Sequence, residues 1–304
     1  MAKKGMLEGK VAVITGAGRG LGRSHALAMA EEGAKIVVND VGAEWDGSGK
    51  AKGPADEVVK EIKAMGGDAI SNYDSVTDFQ AAKKMIDAAV AKFGKLDILV
   101  NNAGILRDKM TFNMAEEEWD AVIAVHLKGT FNCTRWACSY WREQSKAGKQ
   151  INGRIINTMS HAGLLGNAGQ ANYAACKLGI GALTMVWARE MDKYNVTSNA
   201  IIPMARTRMT TQTTAVAGMF GEKPPEGQFD EMAPENVSPL VAFLASDKAQ
   251  NITGRWLSIR GGKLELWTPP QLAKSIDIAR KWKVSEIAQR IHELGDLGMP
   301  GAQL

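Results

Sequence analysis

The chain has 304 residues, of which 45% are hydrophobic and 23% charged, close to ordinary globular usage and unlike a disordered, coiled-coil or collagen-like chain. The length favours one large α/β unit with an appendage over a minimal domain or two full ones. The net charge of +4 comes from 37 basic and 33 acidic residues scattered along the chain, with no basic run long enough to track a nucleic-acid backbone. A small-molecule substrate and an anionic ligand are therefore expected as partners, and nucleic acid is not. The chain shows no apolar signal region and no run of about eighteen uninterrupted apolar residues, so a cytoplasmic protein without a membrane span is expected. Cys133, Cys138 and Cys176 match neither zinc nor redox spacing; they are read as reduced core thiols, and no metal site is expected.

Short β-branched runs alternate with segments of helical period, the pattern of βαβ units around a parallel sheet. The first strand is expected at 11–15 and runs directly into T-G-A-G-R-G-L-G, residues 15–22, which opens a helix ending near Gly33. Glycines belong there because a side chain would keep a pyrophosphate from the backbone N–H groups at the helix N-terminus. Gly16, Gly20 and Gly22 are assigned that cradle, with Gly18, Arg19 and Leu21 completing the turn. The second strand, 35–39, ends at Asp40, twenty residues after Gly20, the offset of an acid that binds adenosine ribose hydroxyls. That offset predicts NAD; Arg19 is the feature that would suit the 2′-phosphate of NADP instead. Residues 41–53 form a turn-rich surface loop. Strands at 69–73 and 96–100 are followed by Asp74-Ser75 and by Asn101-Asn102-Ala103-Gly104, at the carboxyl ends where open parallel sheets bind ligands.

The fifth strand, 154–157, precedes Ser160, and Tyr173 and Lys177 stand four apart in A-N-Y-A-A-C-K, on one face of a helix. A free phenol titrates near 10, so acid–base work near neutral pH calls for a downward shift of about three units. A neighbouring ammonium and a positive nicotinamide ring are expected to provide it, while Ser160 donates a hydrogen bond to a substrate carbonyl oxygen. His161, Leu164 and Leu165 are expected to line the substrate pocket. Past the sixth strand, 197–202, Pro203 and Thr207 are placed with the cofactor. Residues 209–234 form a candidate lid, and Met204, Met209 and Met219 near it suit an apolar substrate. A seventh strand, 256–259, closes a body of residues 1–262. The tail, 263–304, repeats Val284, Ile287, Ala288, Ile291 and Leu294 at helical spacing between Ser285, read as the N-cap, and Gly295. It is expected to pack on the body or on a partner subunit.

This ordered set resembles the short-chain dehydrogenase/reductase family over residues 7–262. The resemblance implies that Ser160, Tyr173 and Lys177 are catalytic, that Asp74 contacts the adenine, and that Asn101 and Gly104 border the cofactor, with Ser75 and Ala103 beside them. It implies a homodimer or homotetramer joined through helices beginning near Ala115 and Ala171. Together with right-handed crossovers it predicts one Rossmann-like, doubly wound α/β sheet of seven mostly parallel strands in the order 3-2-1-4-5-6-7. One position departs from the common pattern. The helix residue that is usually Asn, part of a water-mediated proton relay, is His126 in V-H-L-K-G-T-F, read either as a proton carrier or as a polar residue hydrogen-bonded beneath the site. V-N-D-V-G, N-Y-D-S-V, N-A-G-I-L-R-D, V-H-L-K-G, G-Q-A-N-Y and R-M-T are similar to the (3R)-hydroxyacyl-CoA dehydrogenase branch, found in peroxisomal multifunctional enzyme type 2 and bacterial relatives. The implied substrate is a 3-hydroxyacyl-CoA; a hydroxysteroid or other bulky secondary alcohol is the alternative, and an NADPH-dependent ketoacyl reductase a more distant one. A non-catalytic dinucleotide-binding regulator would have no use for Ser160, Tyr173 and Lys177 together.

Overall fold

The computed structural model describes residues 5–49, 51–212 and 221–298. Its centre is an eight-stranded sheet in the order β3-β2-β1-β4-β5-β6-β7-β8. The strands are β1 Val11–Thr15, β2 Lys35–Asn39, β3 Ala69–Asn72, β4 Ile98–Asn101, β5 Gly153–Thr158, β6 Val196–Pro203, β7 Trp256–Arg260 and β8 Lys263–Trp267. The first seven run parallel, and Ile14 pairs with Val38 on one side and Val100 on the other. The order therefore reverses at β1, opening a crevice beyond its carboxyl end.

Successive side chains of a strand point to opposite faces, and both faces here are apolar because both are covered. Ala12, Ile14, Ile36 and Val38 pack with residues of α1 Gly20–Glu31, α2 Gly53–Ala64 and α9 Ser238–Ala245. Val11, Val13 and Val37 face the other way, against α3 Phe79–Phe93, α5 Gly129–Lys146 and α7 Ala171–Met191. Local chemistry sets the helix ends. Asp78 caps α3 by accepting from the Ala81 N–H at 2.7 Å, and Gly94 stops it in a left-handed conformation.

The eighth strand corrects the expected count of seven. Gly261-Gly262, read as the end of the body, is a two-residue hairpin turn: Arg260 pairs with Lys263 and Trp256 with Trp267, antiparallel. Residues 1–267 form one compact unit and 268–304 a second. The second carries α10 Val284–Arg290, extended by a 3₁₀ turn Ile291–Leu294. Its N-cap position is Lys283, not Ser285: the Lys283 N–H donates to Glu286 Oε2 at 2.9 Å. At the start of the expected lid, Arg208–Gln212 forms the short helix α8, while residues 213–220, Met219 among them, lie outside the described residues. Among the described residues no helix is long and apolar enough to cross a membrane.

Candidate active site

The glycine turn after β1 is shaped by contacts that admit no side chain. A Cβ on Gly16 would stand 2.8 Å from Ala103 Cα, and one on Gly22 only 2.1 Å from the Gly16 carbonyl oxygen. Gly16 also has a positive φ of 62°, a conformation glycine adopts without steric cost. The facing loop is pinned to this turn. Thr15 Oγ1 accepts from the N–H groups of Asn102 at 3.0 Å and Ala103 at 3.1 Å, and Asn102 Nδ2 donates to the carbonyls of Thr15 and Gly16. Below it, Asn101 Nδ2 donates to Thr134 Oγ1 and Asn157 Oδ1, both at 2.9 Å. Helix α1 starts at Gly20, and its cap residue Arg19 makes no side-chain cap, so its first N–H groups remain available to an anion. Leu21 packs against the core beneath.

Asp40 stands at the edge of this cradle. Its Oδ2 accepts from the Gly18 N–H at 2.8 Å and its Oδ1 from Gly42 at 2.6 Å, which fixes the carboxylate beside the glycine turn. At the end of β3, Asp74 Oδ2 accepts from Asn72 Nδ2 at 2.8 Å, and Ser75 Oγ lies 2.9 Å from Thr77 Oγ1. Pro203 closes β6, and a Cβ on Gly20 would meet Thr207 at 3.7 Å. The arrangement fits a nicotinamide dinucleotide: a cradle too tight for a side chain and an uncapped helix end for the pyrophosphate, and a held carboxylate for ribose hydroxyls.

Ser160 follows β5 as the N-cap of the short helix α6 His161–Leu165, where its Oγ accepts from the Ala162 N–H at 3.2 Å. Tyr173 and Lys177 lie in the first turns of α7. Burial pushes the Tyr173 phenol up to about 12, and the Ser160 hydroxyl works in the opposite direction. The expected downward shift is thus reversed in the protein alone, because the cost of burying a phenolate outweighs its local partners. Lys177 Nζ donates to the Thr158 carbonyl at 2.8 Å and lies 5.3 Å from the centre of the Tyr173 ring. Burial lowers it to about 8.

His126 lies in a single π-helical turn, Ala124–Lys128, between α4 Glu116–Ile123 and α5; such turns recur at functional sites. Its ring is buried and meets Tyr173 edge-on, with centroids 5.1 Å apart. Nε2 lies 2.8 Å from the Ile105 carbonyl and 3.1 Å from the Ile105 N–H, so the ring is tied to Ile105 in either tautomer. Burial, and then the Lys177 charge, hold His126 well below its ordinary value, leaving it neutral. Nδ1 has no partner among the described residues. Gly104 makes room for this ring, since a Cβ there would stand 2.4 Å from His126 Cε1.

Two connections carry no local sequence signal. Asp108 Oδ2 accepts from Gln170 Nε2 at 2.9 Å, tying the loop after β4 to the residue that precedes α7. Burial raises Asp108, whose charge in turn raises Tyr173. Next to Ser160, His161 meets Trp267 of β8 edge-on at 5.5 Å. Trp267 Nε1 donates to Ser258 Oγ at 3.0 Å, and Ser258 Oγ donates to Glu265 Oε2 at 2.7 Å. Leu164 packs against the cluster of Met159, Ile180 and Trp256, and Leu165 is half-buried at the end of α6. Met204 Sδ accepts from Arg260 at 3.5 Å, while Met209 lies in α8.

A dinucleotide cradle at the switch point of a doubly wound sheet, with Ser, Tyr and Lys converging beside it, defines an oxidoreductase of the nicotinamide-dependent class. The short chain dehydrogenase family model matches residues 10–217, and the chain belongs to that family. It is 44% identical over 296 residues to the hydroxyacyl-CoA dehydrogenase ChsB1 of Mycobacterium tuberculosis, covering 94% of this chain and 89% of that one. It is also 44% identical over 244 residues to the peroxisomal multifunctional enzyme type 2 of Drosophila melanogaster; the match covers 80% of this chain but only 38% of that longer protein. A crystal structure of a short chain dehydrogenase from Mycobacterium avium superposes with a TM-score of 0.85 at 48% identity, covering 95% of each chain.

Proposed function

We propose that this chain interconverts a (3R)-hydroxyacyl-CoA and its 3-ketoacyl-CoA, using NAD. The convergence of Ser160, Tyr173 and Lys177 beside the glycine cradle carries the chemistry, and the near full-length likeness to a hydroxyacyl-CoA dehydrogenase carries the substrate class. NAD, when bound, supplies the hydride acceptor and a positive ring beside the phenol. Ser160 Oγ–H orients the substrate oxygen, and Tyr173 Oη gives or takes its proton. A phenol near 12 is fully protonated at neutral pH and ready to donate in the reducing direction; the oxidising direction needs the positive charges to lower it. Lys177, near 8, is still mainly an ammonium at pH 7 and favours the phenolate. His126, neutral and tied to Ile105, is a positioning residue: its edge supports the Tyr173 ring and its Nε2 holds the loop after β4.

Preference for NAD over NADP follows from Asp40. A 2′-phosphate about 4 Å from its carboxylate is opposed by up to about 4 kcal/mol per charge pair at an effective dielectric near 20, less where solvent screens it. We assign a homodimer or homotetramer, supported by the exposed Trp119, Phe131, Leu178 and Val186 on α4, α5 and α7. Three unpaired thiols suit a reducing compartment such as the cytoplasm. The test compares catalytic efficiency for a (3R)-hydroxyacyl-CoA, its (3S) isomer and a 17β-hydroxysteroid, each with NAD and NADP. Superiority of the (3S) isomer or of the steroid overturns the substrate assignment, and equal or better efficiency with NADP overturns the cofactor assignment.

A further inference from the structure

The loop after Asp40 is a built element. The Glu44 N–H donates to the Ser48 carbonyl at 2.7 Å, the Gly47 N–H to Glu44 at 3.0 Å, and the Ala51 N–H returns to Val41 at 3.2 Å. It is anchored across the cleft as well: the Leu106 N–H donates to the Trp45 carbonyl at 3.0 Å and Arg107 Nε to the Asp46 carbonyl at 2.9 Å. These bonds hold Glu44 in one place, and there it meets two cations. Its Oε1 lies 3.4 Å from Arg19 Nη1, and its other oxygen accepts a short hydrogen bond from Arg208 Nη1. Arg19 immediately follows Gly18, whose N–H binds Asp40, so the backbone that carries this guanidinium is in the glycine turn beside the proposed ribose-binding carboxylate. Arg208 begins α8, directly after Thr207, which lies against Gly20.

We propose that Glu44 is a second cofactor-specificity determinant, occupying Arg19 and Arg208 so that neither serves as a 2′-phosphate site. The inference rests on the NAD reading above and adds to it a residue that acts on the phosphate-binding cations instead of on the ribose. Glu44 acts in two ways with the same sign. Its carboxylate neutralises the guanidiniums that would attract a 2′-phosphate dianion, and its own charge repels that dianion. All three side chains are about half exposed, so each pair is screened and its effect is modest. Removing the charge frees two cations near the ribose without touching Asp40, which continues to favour a free 2′-hydroxyl.

The test is Glu44→Gln, with Glu44→Ala as the second variant should the first fail to fold, and Arg19→Ala/Glu44→Gln as the control for mechanism. The ratio of kcat/KM for NADP to that for NAD is measured for each protein, alongside the Kd of NADPH from nicotinamide fluorescence. The expected result is a rise of about three- to tenfold in the ratio for Glu44→Gln, with tighter NADPH binding, as release of screened ion pairs implies. In the double variant the part of that gain owed to Arg19 is lost, and the part owed to Arg208 and to the missing carboxylate charge remains. A ratio within about 1.5-fold of the wild type, or one that falls, overturns the proposal; so does a double variant that keeps the whole gain. A wild-type enzyme that already prefers NADP overturns the NAD reading and this inference together, whereas a wild-type preference for NAD with an unresponsive Glu44→Gln overturns this inference alone.

Discussion

Gly104→Ala tests whether the loop after β4 and the His126 ring are fitted to one another. Gly104 does not have positive φ, so alanine meets no backbone strain, and the added methyl is the whole perturbation. That methyl would lie 2.4 Å from Cε1, 3.1 Å from Nε2 and 3.2 Å from Nδ1 of His126, about 1 Å inside ordinary carbon–carbon contact. The imidazole has nowhere to go: it is 2% exposed, bonded to Ile105 through Nε2 and set against Tyr173. Overpacking of a rigid buried group costs about 1–3 kcal/mol, or roughly 2–6 °C in Tm for a chain of this size. Turnover falls as well, because a displaced ring shifts Tyr173. Combining Gly104→Ala with His126→Asn discriminates between this account and a general intolerance of substitution. Asparagine is smaller and leaves space for the methyl, so the double variant should be more stable than the sum of the single effects by about 1 kcal/mol or more. Thermal or denaturant unfolding of the four proteins measures this. A Gly104→Ala protein as stable as the wild type, or a cycle that is additive, refutes the fit.

Three further outcomes follow from the same geometry. Tyr173→Phe keeps the ring against His126 and removes only Oη, so turnover should fall at least about a hundredfold with little change in NAD affinity, whereas His126→Asn should retain far more activity; steady-state kinetics and cofactor titration check both. Asp108→Asn removes a charge that raises Tyr173, so the alkaline limb of the pH–rate profile should move to lower pH, and an unmoved or raised limb contradicts the coupling. Burial holds Lys177 at about 8 against its ordinary 10.5; between those values the unfolded chain binds the extra proton, so this group's contribution makes stability rise with pH from about 8 to about 10.5. Lys177→Met should flatten that part of the Tm-against-pH curve relative to the wild type, and an unchanged slope counts against the shift.

The parts of this molecule that were legible in its sequence are those whose signals are local. Seven strands announce themselves as β-branched runs because both faces of each inner strand are covered, and the glycine turn, Asp40 and the Tyr173–Lys177 spacing lie within short, regular segments. The eighth strand escaped because Gly261-Gly262 reads equally as an ending and as a hairpin turn; only the pairing of Trp256 with Trp267 decides between them. Ser285 looked like a cap from its residue type, but Glu286 reaches back to Lys283 and sets the start of α10. Glu44 had no signal at all, since its partner Arg208 is 164 positions away.

Tyr173 shows the same division within a single residue. The spacing to Lys177 identifies a charge that can lower the phenol, but the burial that raises it comes from the folded surroundings and is not written in any neighbouring position. Lys177 is itself depressed by that burial, so the pair shares one dry environment that disfavours both charged forms. Under the function proposed above, a charge that arrives and leaves with the cofactor answers this: the phenolate is accessible near neutral pH only while the positive cofactor ring is beside it. The low-dielectric setting that keeps Tyr173 protonated in the protein alone also strengthens the effect of each nearby charge on it. In that proposed mechanism burial and catalytic competence are aspects of one arrangement, with His126 set against the Tyr173 ring and Gly104 leaving room for His126.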